Sequence, residues 1–138
     1  MQTAIERFTQ TYHRLTAQSL GLLQDLYSHD VLFQDSFHRV TGLPALTEYF
    51  ADLYRHVDTI SFQFEEEVVQ GNNAMLTWTM SLKHPRLNGG GLVEVPGATH
   101  IRFRDKIFYH RDYFDGGAML YEHLPLIGVV IRTIKARV

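Results

Sequence analysis

With 138 residues, 45% of them hydrophobic and 20% charged, and a net charge near −2, the chain has the size and balance of one compact domain spanning residues 1–138. No stretch collects enough Lys and Arg for a nucleic-acid face, and the lack of cysteine removes disulfides, thiolate metal sites and cysteine nucleophiles. No signal-peptide pattern opens the chain, and its longest apolar run, Leu124 to Ile131, falls far short of the roughly 20 residues a membrane span needs, so a cytoplasmic protein is expected.

Residues 3 to 26 read as helix: Ile5, Phe8, Tyr12 and Leu15 recur at three- and four-residue spacing, and Gly21 marks a break or a second short helix. Turn-forming residues follow from Tyr27 to Asp30, then a short strand from Val31 to Asp35 and a loop from Ser36 to Gly42. Leu43 to His56 is helical again, with Pro44 in the first turn and a stripe of Leu46, Tyr49, Phe50 and Leu53.

From residue 58 the period changes from 3.6 to 2. Ile60, Phe62 and Phe64 alternate with polar residues up to Val69, and Gly71-Asn72-Asn73 turns the chain. Ala74, Leu76, Trp78, Met80 and Leu82 make one face of the next strand. Val93, Val95, Gly97, Thr99, Ile101 and Phe103 make one face of the strand after the glycine-rich loop. A tight two-residue turn at Arg104-Asp105 would set Thr99 opposite His110, Gly97 opposite Asp112 and Val95 opposite Phe114. Opposed residues share a face, so Phe108, His110, Asp112 and Phe114 point inward. A one-residue slip would instead bury Arg111 and Tyr113. After Gly116-Gly117, Met119, Leu120, Leu124, Ile127, Ile131 and Ile134 suggest a helix with a basic end, interrupted at Pro125. The sum is an α+β domain, a cone-shaped curved antiparallel sheet wrapped around N-terminal helices, with a C-terminal helix.

The chemistry gathers in His110-Arg111-Asp112-Tyr113-Phe114-Asp115. Charged groups carried inward on a strand are costly unless they are partnered or used. Asp112 is the candidate proton acceptor, His110 its partner and Asp35 a second carboxylate or polar anchor. Tyr12, Phe33, Trp78, Met80, Thr99, Ile101 and Phe114 are the candidate pocket lining. A bland reading accompanies each: Asp112 as an anchor for an arginine or amide, His110 as a hydrogen-bonded interior histidine, Asp35 as a turn residue, and the apolar residues as core. The eight histidines give no helical pair at metal spacing and no His-x-His on a strand, so no metal site is expected. The C-terminal helix is expected to pack on the domain or on a dimer mate rather than on a membrane.

The segments from Tyr27 to Asp35, Gly42 to Phe50 and Ile107 to Asp115 together resemble the nuclear transport factor 2-like superfamily. Within it the chain is similar to SnoaL-like polyketide cyclases, ketosteroid isomerases and limonene-epoxide-hydrolase-like proteins. The resemblance covers nearly the whole chain. It implies a cone-shaped α+β barrel, often a homodimer, whose pocket carries out proton transfer on small apolar molecules without metal or organic cofactor. Its functional positions carry over unevenly. The Arg-x-Asp pair of the epoxide hydrolases falls on Trp78 and Met80, and their water-holding tyrosine and asparagine on Phe33 and Asp35, so only Asp112 of that constellation is present. The isomerase base falls on Asp35, the isomerase oxyanion aspartate near Thr99 and the tyrosine donor near Thr11 or Tyr12. The histidine and aspartate of the cyclases fall near His100 or His110 and on Asp112. Two functions of different class follow: a cofactor-independent isomerase or cyclase using Asp112, or a non-catalytic module of the same fold that binds a small hydrophobic ligand or another protein.

Overall fold

The alternating strands after residue 58 supply most of the sheet, and the computed structural model, which describes residues 2–117 and 125–138, shows how the earlier segments close against it. Six strands run in the spatial order β2-β1-β6-β5-β4-β3: β1 (Tyr27–Gln34), β2 (Arg39–Thr41), β3 (Thr59–Gln70), β4 (Asn73–Lys83), β5 (Leu92–Phe103) and β6 (Ile107–Phe114). The sheet is curved and open, with α1 (Ala4–Arg14) and α3 (Leu43–His56) laid against it and a C-terminal helix α4 (Pro125–Ala136). All neighbouring pairs are antiparallel except β1 and β6, which run parallel because the chain returns to β1 only after the whole β3–β5 meander.

The N-terminal segment forms two helices rather than one long one. A capping box starts α1: the Glu6 amide donates to Thr3 Oγ1 at 3.1 Å, and the Thr3 amide donates to Glu6 Oε2 at 3.1 Å. The helix ends at Leu15, where Ser19 Oγ accepts from the Thr16 amide at 2.7 Å. Such local hydroxyl–backbone bonds compete with helix continuation. A 3-10 turn (Leu20–Leu22) and the one-turn helix α2 (Leu23–Leu26) follow. The first strand begins at Tyr27, four residues ahead of the expected Val31, because Tyr27 is fully buried against β6. Ser28, His29 and Asp30 are accommodated by a register irregularity in that pairing. The expected loop before α3 contains β2, a three-residue strand paired through Phe33–Val40.

The β5–β6 hairpin departs from its expected register in an instructive way. Arg104 to Lys106 make a longer loop than the expected two-residue turn, closed by the Arg104 amide donating to Lys106 O at 3.0 Å, and Phe103 lies opposite Ile107. Thr99 therefore faces Asp112, Ile101 faces His110 and Gly97 faces Phe114. The displacement is two residues, so it preserves the side-chain parity: Thr99, Ile101 and His110 are buried, and Tyr113 is exposed. Phe108 is the exception, since a bulge at this end puts Ile107 in the core and leaves Phe108 under the Arg104 guanidinium at 4.5 Å.

Two apolar clusters fill the concave side. One joins α1, α2, α3 and β1 with the near ends of β4, β5 and β6 through Phe8, Tyr27, Phe33, Leu46, Leu76 and Ile101. The other, at the far end of β4 and β5, holds Trp78, Met80, Leu82, Val93 and Val95. In the C-terminal segment, Lys135 Nζ reaches Asp115 Oδ2 at 2.8 Å, while the expected positions Met119, Leu120 and Leu124 lie outside the described residues.

Candidate functional site

A cavity opens between α1, α3 and the sheet where the two clusters meet. It holds about 670 Å³ of empty space, its mouth included. Its walls are almost wholly apolar: Phe33, Phe37, Phe50, Leu53, Val57, Ile60, Phe62, Trp78, Met80, Leu82 and Phe114. The polar residues reaching it are Tyr12, Asp35, Tyr49, Tyr54 and Asp112. A few placed polar groups in an apolar cleft is the usual make-up of a small-molecule site.

Asp112 is held by two donors on one oxygen. Thr99 Oγ1 donates to Asp112 Oδ1 at 2.6 Å, and His110 Nε2 bonds the same oxygen at 2.7 Å. Trp78 Nε1 donates to Thr99 Oγ1 at 2.8 Å. An indole N–H can only donate, so Thr99 oxygen is the acceptor there and its own proton is directed at Asp112. Oδ2 has no protein partner among the described residues, and the Asp112 side chain, 19% exposed, borders the cavity.

Behind Asp112 the chain of hydrogen bonds continues inward. His110 is 1% exposed, ringed by Phe8, Tyr12, Tyr27 and Phe33 at centroid distances of 4.8 to 6.1 Å. Its Nδ1 meets Tyr27 hydroxyl at 2.6 Å, which meets Tyr12 hydroxyl at 2.6 Å. With an ionised Asp112 and a neutral imidazole, the protons run Tyr12 to Tyr27 to Nδ1, and Nε2–H to the carboxylate. Burial pushes the Tyr12 and Tyr27 phenols well above 10, with the Asp112 charge adding to both. Both therefore stay protonated and able to donate.

Gly97 makes this geometry possible. A Cβ at that position would lie 2.4 Å from the Trp78 ring, so only glycine lets the indole lie across β5 and reach Thr99.

Asp35 has a different character. Its Oδ1 accepts from the Phe37 and His38 amides, each at 2.8 Å, and its Oδ2 accepts from Tyr49 hydroxyl. Both oxygens are engaged in holding the β1–β2 turn and α3 together, as an aspartate does in an Asx-type turn. Burial, and then the bond to Asp35, pushes the Tyr49 phenol upward.

The sequence-derived positions thus separate into three groups. Asp112, His110, Thr99, Trp78 and Tyr12 form one connected network. Phe33, Met80 and Phe114 line the cavity beside Asp112, with Asp35 as a tied residue of its lining. Ile101 is packed in the core beside His110 and is absent from the cavity wall. Tyr27, Tyr49 and Tyr54 bring further hydroxyls to the network and the cavity that the sequence pattern does not single out as polar groups. Tyr54 extends the spacing of Leu46 and Phe50 by one more turn, which was the available signal. No cluster of three or more His, Asp or Glu side chains able to hold a metal occurs among the described residues, nor does a helix long and apolar enough to cross a membrane.

Comparison with solved structures returns the same architecture. A hypothetical protein from Catenulispora acidiphila with a ketosteroid isomerase-like fold, in complex with trimethylamine, aligns with a TM-score of 0.75 at 16% identity over 88% of this chain and 93% of its own. A protein described as a SnoaL-like polyketide cyclase from Jannaschia sp. CCS1 aligns with a TM-score of 0.71 at 17% identity, over 84% and 90%. TerC co-crystallised with polyporic acid aligns at 0.70 and 18% identity, over 83% and 93%. Likeness at these identities establishes the fold alone. No functionally curated protein matches the sequence. The sequence profile of the SnoaL-like domain, however, matches residues 8–110, from the middle of α1 to His110, and the chain therefore belongs to the SnoaL-like domain family.

Proposed function

We propose that the protein is a cofactor-independent enzyme of the isomerase or cyclase type, moving a proton on a small, largely apolar molecule. Asp112 is the general base, acting through Oδ2, and His110 and Thr99 hold it by Oδ1. The observation that carries this reading is the division of labour on one carboxylate that borders the cavity: one oxygen takes two donors from the protein and the other has no protein partner among the described residues. A purely structural aspartate would spend both oxygens on the fold, as Asp35 does. The apolar walls favour a flat hydrophobic substrate, and they would leave a reacting carboxylate little competition from water. The same cavity would serve a non-catalytic carrier of such a molecule, and the test separates the two.

The probe is 2-tetralone, a flat ketone with exchangeable protons beside its carbonyl. Loss of those protons in D2O, followed by NMR, should be faster with the wild-type protein than with Asp112→Asn by about a hundredfold or more, the usual contribution of a positioned base. Asp112→Asn should keep the native fold by circular dichroism. Equal exchange rates for the two proteins would sink the catalytic reading and leave a binding module.

A further inference from the structure

The resemblance to isomerases directs attention to α1 for the group that would hold a substrate oxygen, but the hydroxyl available on α1 is already spent. Tyr12 hydroxyl is bonded to Tyr27 at 2.6 Å, which in turn is bonded to His110. Tyr54, in the last turn of α3, is in the opposite condition. It is 7% exposed and faces the cavity, yet its hydroxyl has no hydrogen-bond partner among the described residues. Nor is it a sealed defect: the fully enclosed, unpartnered side-chain atom recorded among the described residues is Arg7 Nε, elsewhere in the molecule. The hydroxyl is therefore reachable, on a side chain that lines the cavity.

A buried phenol without a protein partner loses the free energy of an unmade hydrogen bond, so in an apolar cavity it is suited to donate to a ligand acceptor. Asp112 Oδ2, which likewise has no protein partner among the described residues, is suited to accept a proton. A molecule that satisfies both carries an oxygen acceptor on one part and an acidic C–H or O–H on another, with a flat apolar frame between.

We infer that Tyr54 is the donor that holds the oxygen of the bound molecule while Asp112 takes its proton. This rests on the reading of Asp112 as the base. In the step itself, the proton of a carbon next to a carbonyl passes to Asp112 Oδ2 and the C–H electron pair becomes the new C=C bond. The carbonyl π pair moves onto oxygen, and Tyr54 O–H bonds that oxyanion. The proton returns from Asp112 to carbon as the oxyanion collapses, so nothing is consumed. Burial, and then the negative charge of Asp112, pushes the Tyr54 phenol upward, which keeps it a donor through neutral pH.

The test compares 2-naphthol with 2-methylnaphthalene, two flat molecules of one shape that differ in the oxygen. The single tryptophan, Trp78, lines the cavity and reports both by its fluorescence. Wild type should prefer 2-naphthol. Tyr54→Phe should weaken 2-naphthol by about tenfold, the size of one hydrogen bond, and leave 2-methylnaphthalene within about twofold. Should Tyr54→Phe fail to fold, the wild type's affinity for 2-methoxynaphthalene, which has an acceptor oxygen but no proton for Asp112, against 2-ethylnaphthalene decides: Tyr12 and Tyr49 spend their hydroxyls on the protein, so a preference for the ether supports Tyr54 and equal binding overturns it. If Tyr54→Phe leaves 2-naphthol untouched while Asp112→Asn weakens it, Tyr54 is not the donor and the base assignment survives. If Tyr54→Phe weakens both molecules alike, its part is packing only and the inference fails. If neither molecule binds the wild type, the inference falls together with the cavity reading on which it rests.

Discussion

At the scale of single residues, the site is a set of hydrogen-bond directions fixed by residues that can only donate or only accept. Trp78 orients Thr99, Thr99 and His110 converge on one oxygen of Asp112, and Tyr27 supports His110 from behind. The sequence made Asp112 and His110 legible because charged groups at the inward parity of a strand are conspicuous. Tyr27 was not, because it stands among the turn-forming residues that run to Asp30, and neither was Tyr54, because a tyrosine at helical spacing looks the same whether its hydroxyl is spent or free. The buried phenols give a pH prediction. Tyr12 and Tyr27 titrate above 10 in the folded protein because burial opposes their ionisation, whereas the unfolded chain releases those protons near 10. Above that pH the unfolded state therefore binds fewer protons than the native one. Their contribution to stability is complete below about pH 10 and is lost as pH rises beyond it. In an alkaline titration followed by tyrosinate absorbance, these phenols should ionise only as the fold opens. Ionisation near pH 10 with the native circular dichroism intact would count against the buried network.

At the scale of elements, parity carried more than register did. The β5–β6 pairing is displaced by two residues from a tight-turn register, yet Thr99, His110 and Asp112 stay on the concave face because the side-chain period is two. What alternation could not reveal was the loop length at Arg104–Lys106, the bulge that exchanges Phe108 for Ile107, and the three-residue β2, too short to show a period. The break after Leu15 depends on hydroxyl–backbone bonds at Thr16 and Ser19 that compete with a helical pattern which otherwise continues. Gly97 is the point where β4 and β5 determine the site. Trp78 is 2% exposed and packed on Phe62, so it has no room to retreat from an added methyl group. Gly97→Ala should therefore cost about 1–3 kcal/mol, the usual penalty of overpacking, and shift Trp78 emission as the indole leaves Thr99. Unchanged denaturant midpoint and emission would refute the role given to this glycine.

At the scale of the whole molecule, the architecture explains why a carboxylate can sit this deep. The curved sheet carries β4, β5 and β6, and α1 adds Tyr12 and α3 adds Tyr49, Phe50 and Tyr54 to the cavity wall. The polar chain runs through the core side of this cone, and the apolar walls close the other side. On the outer face, Arg102 stacks over Tyr109 and Arg111 over Tyr113, at 4.9 and 4.7 Å, so those arginines are drawn away from Asp112. The fold class and the inward set were readable from the sequence because periodicity encodes them. The cavity lining was readable only in part: Tyr12, Phe33, Trp78, Met80 and Phe114 lie on it, but Tyr49 and Tyr54 of α3 did not stand out as its polar groups, since the shape arises only when segments far apart in the chain are brought together. The central claim is that the free oxygen of Asp112 meets the reacting part of a bound molecule. A crystal structure of the protein with 2-tetralone bound addresses it most directly. The ketone is expected in the cavity, with a carbon beside its carbonyl within about 3.5 Å of Asp112 Oδ2, the separation of a near-attack arrangement. A ketone seated in the cavity with its reactive carbons turned away from Asp112, or bound elsewhere on the molecule, would contradict it.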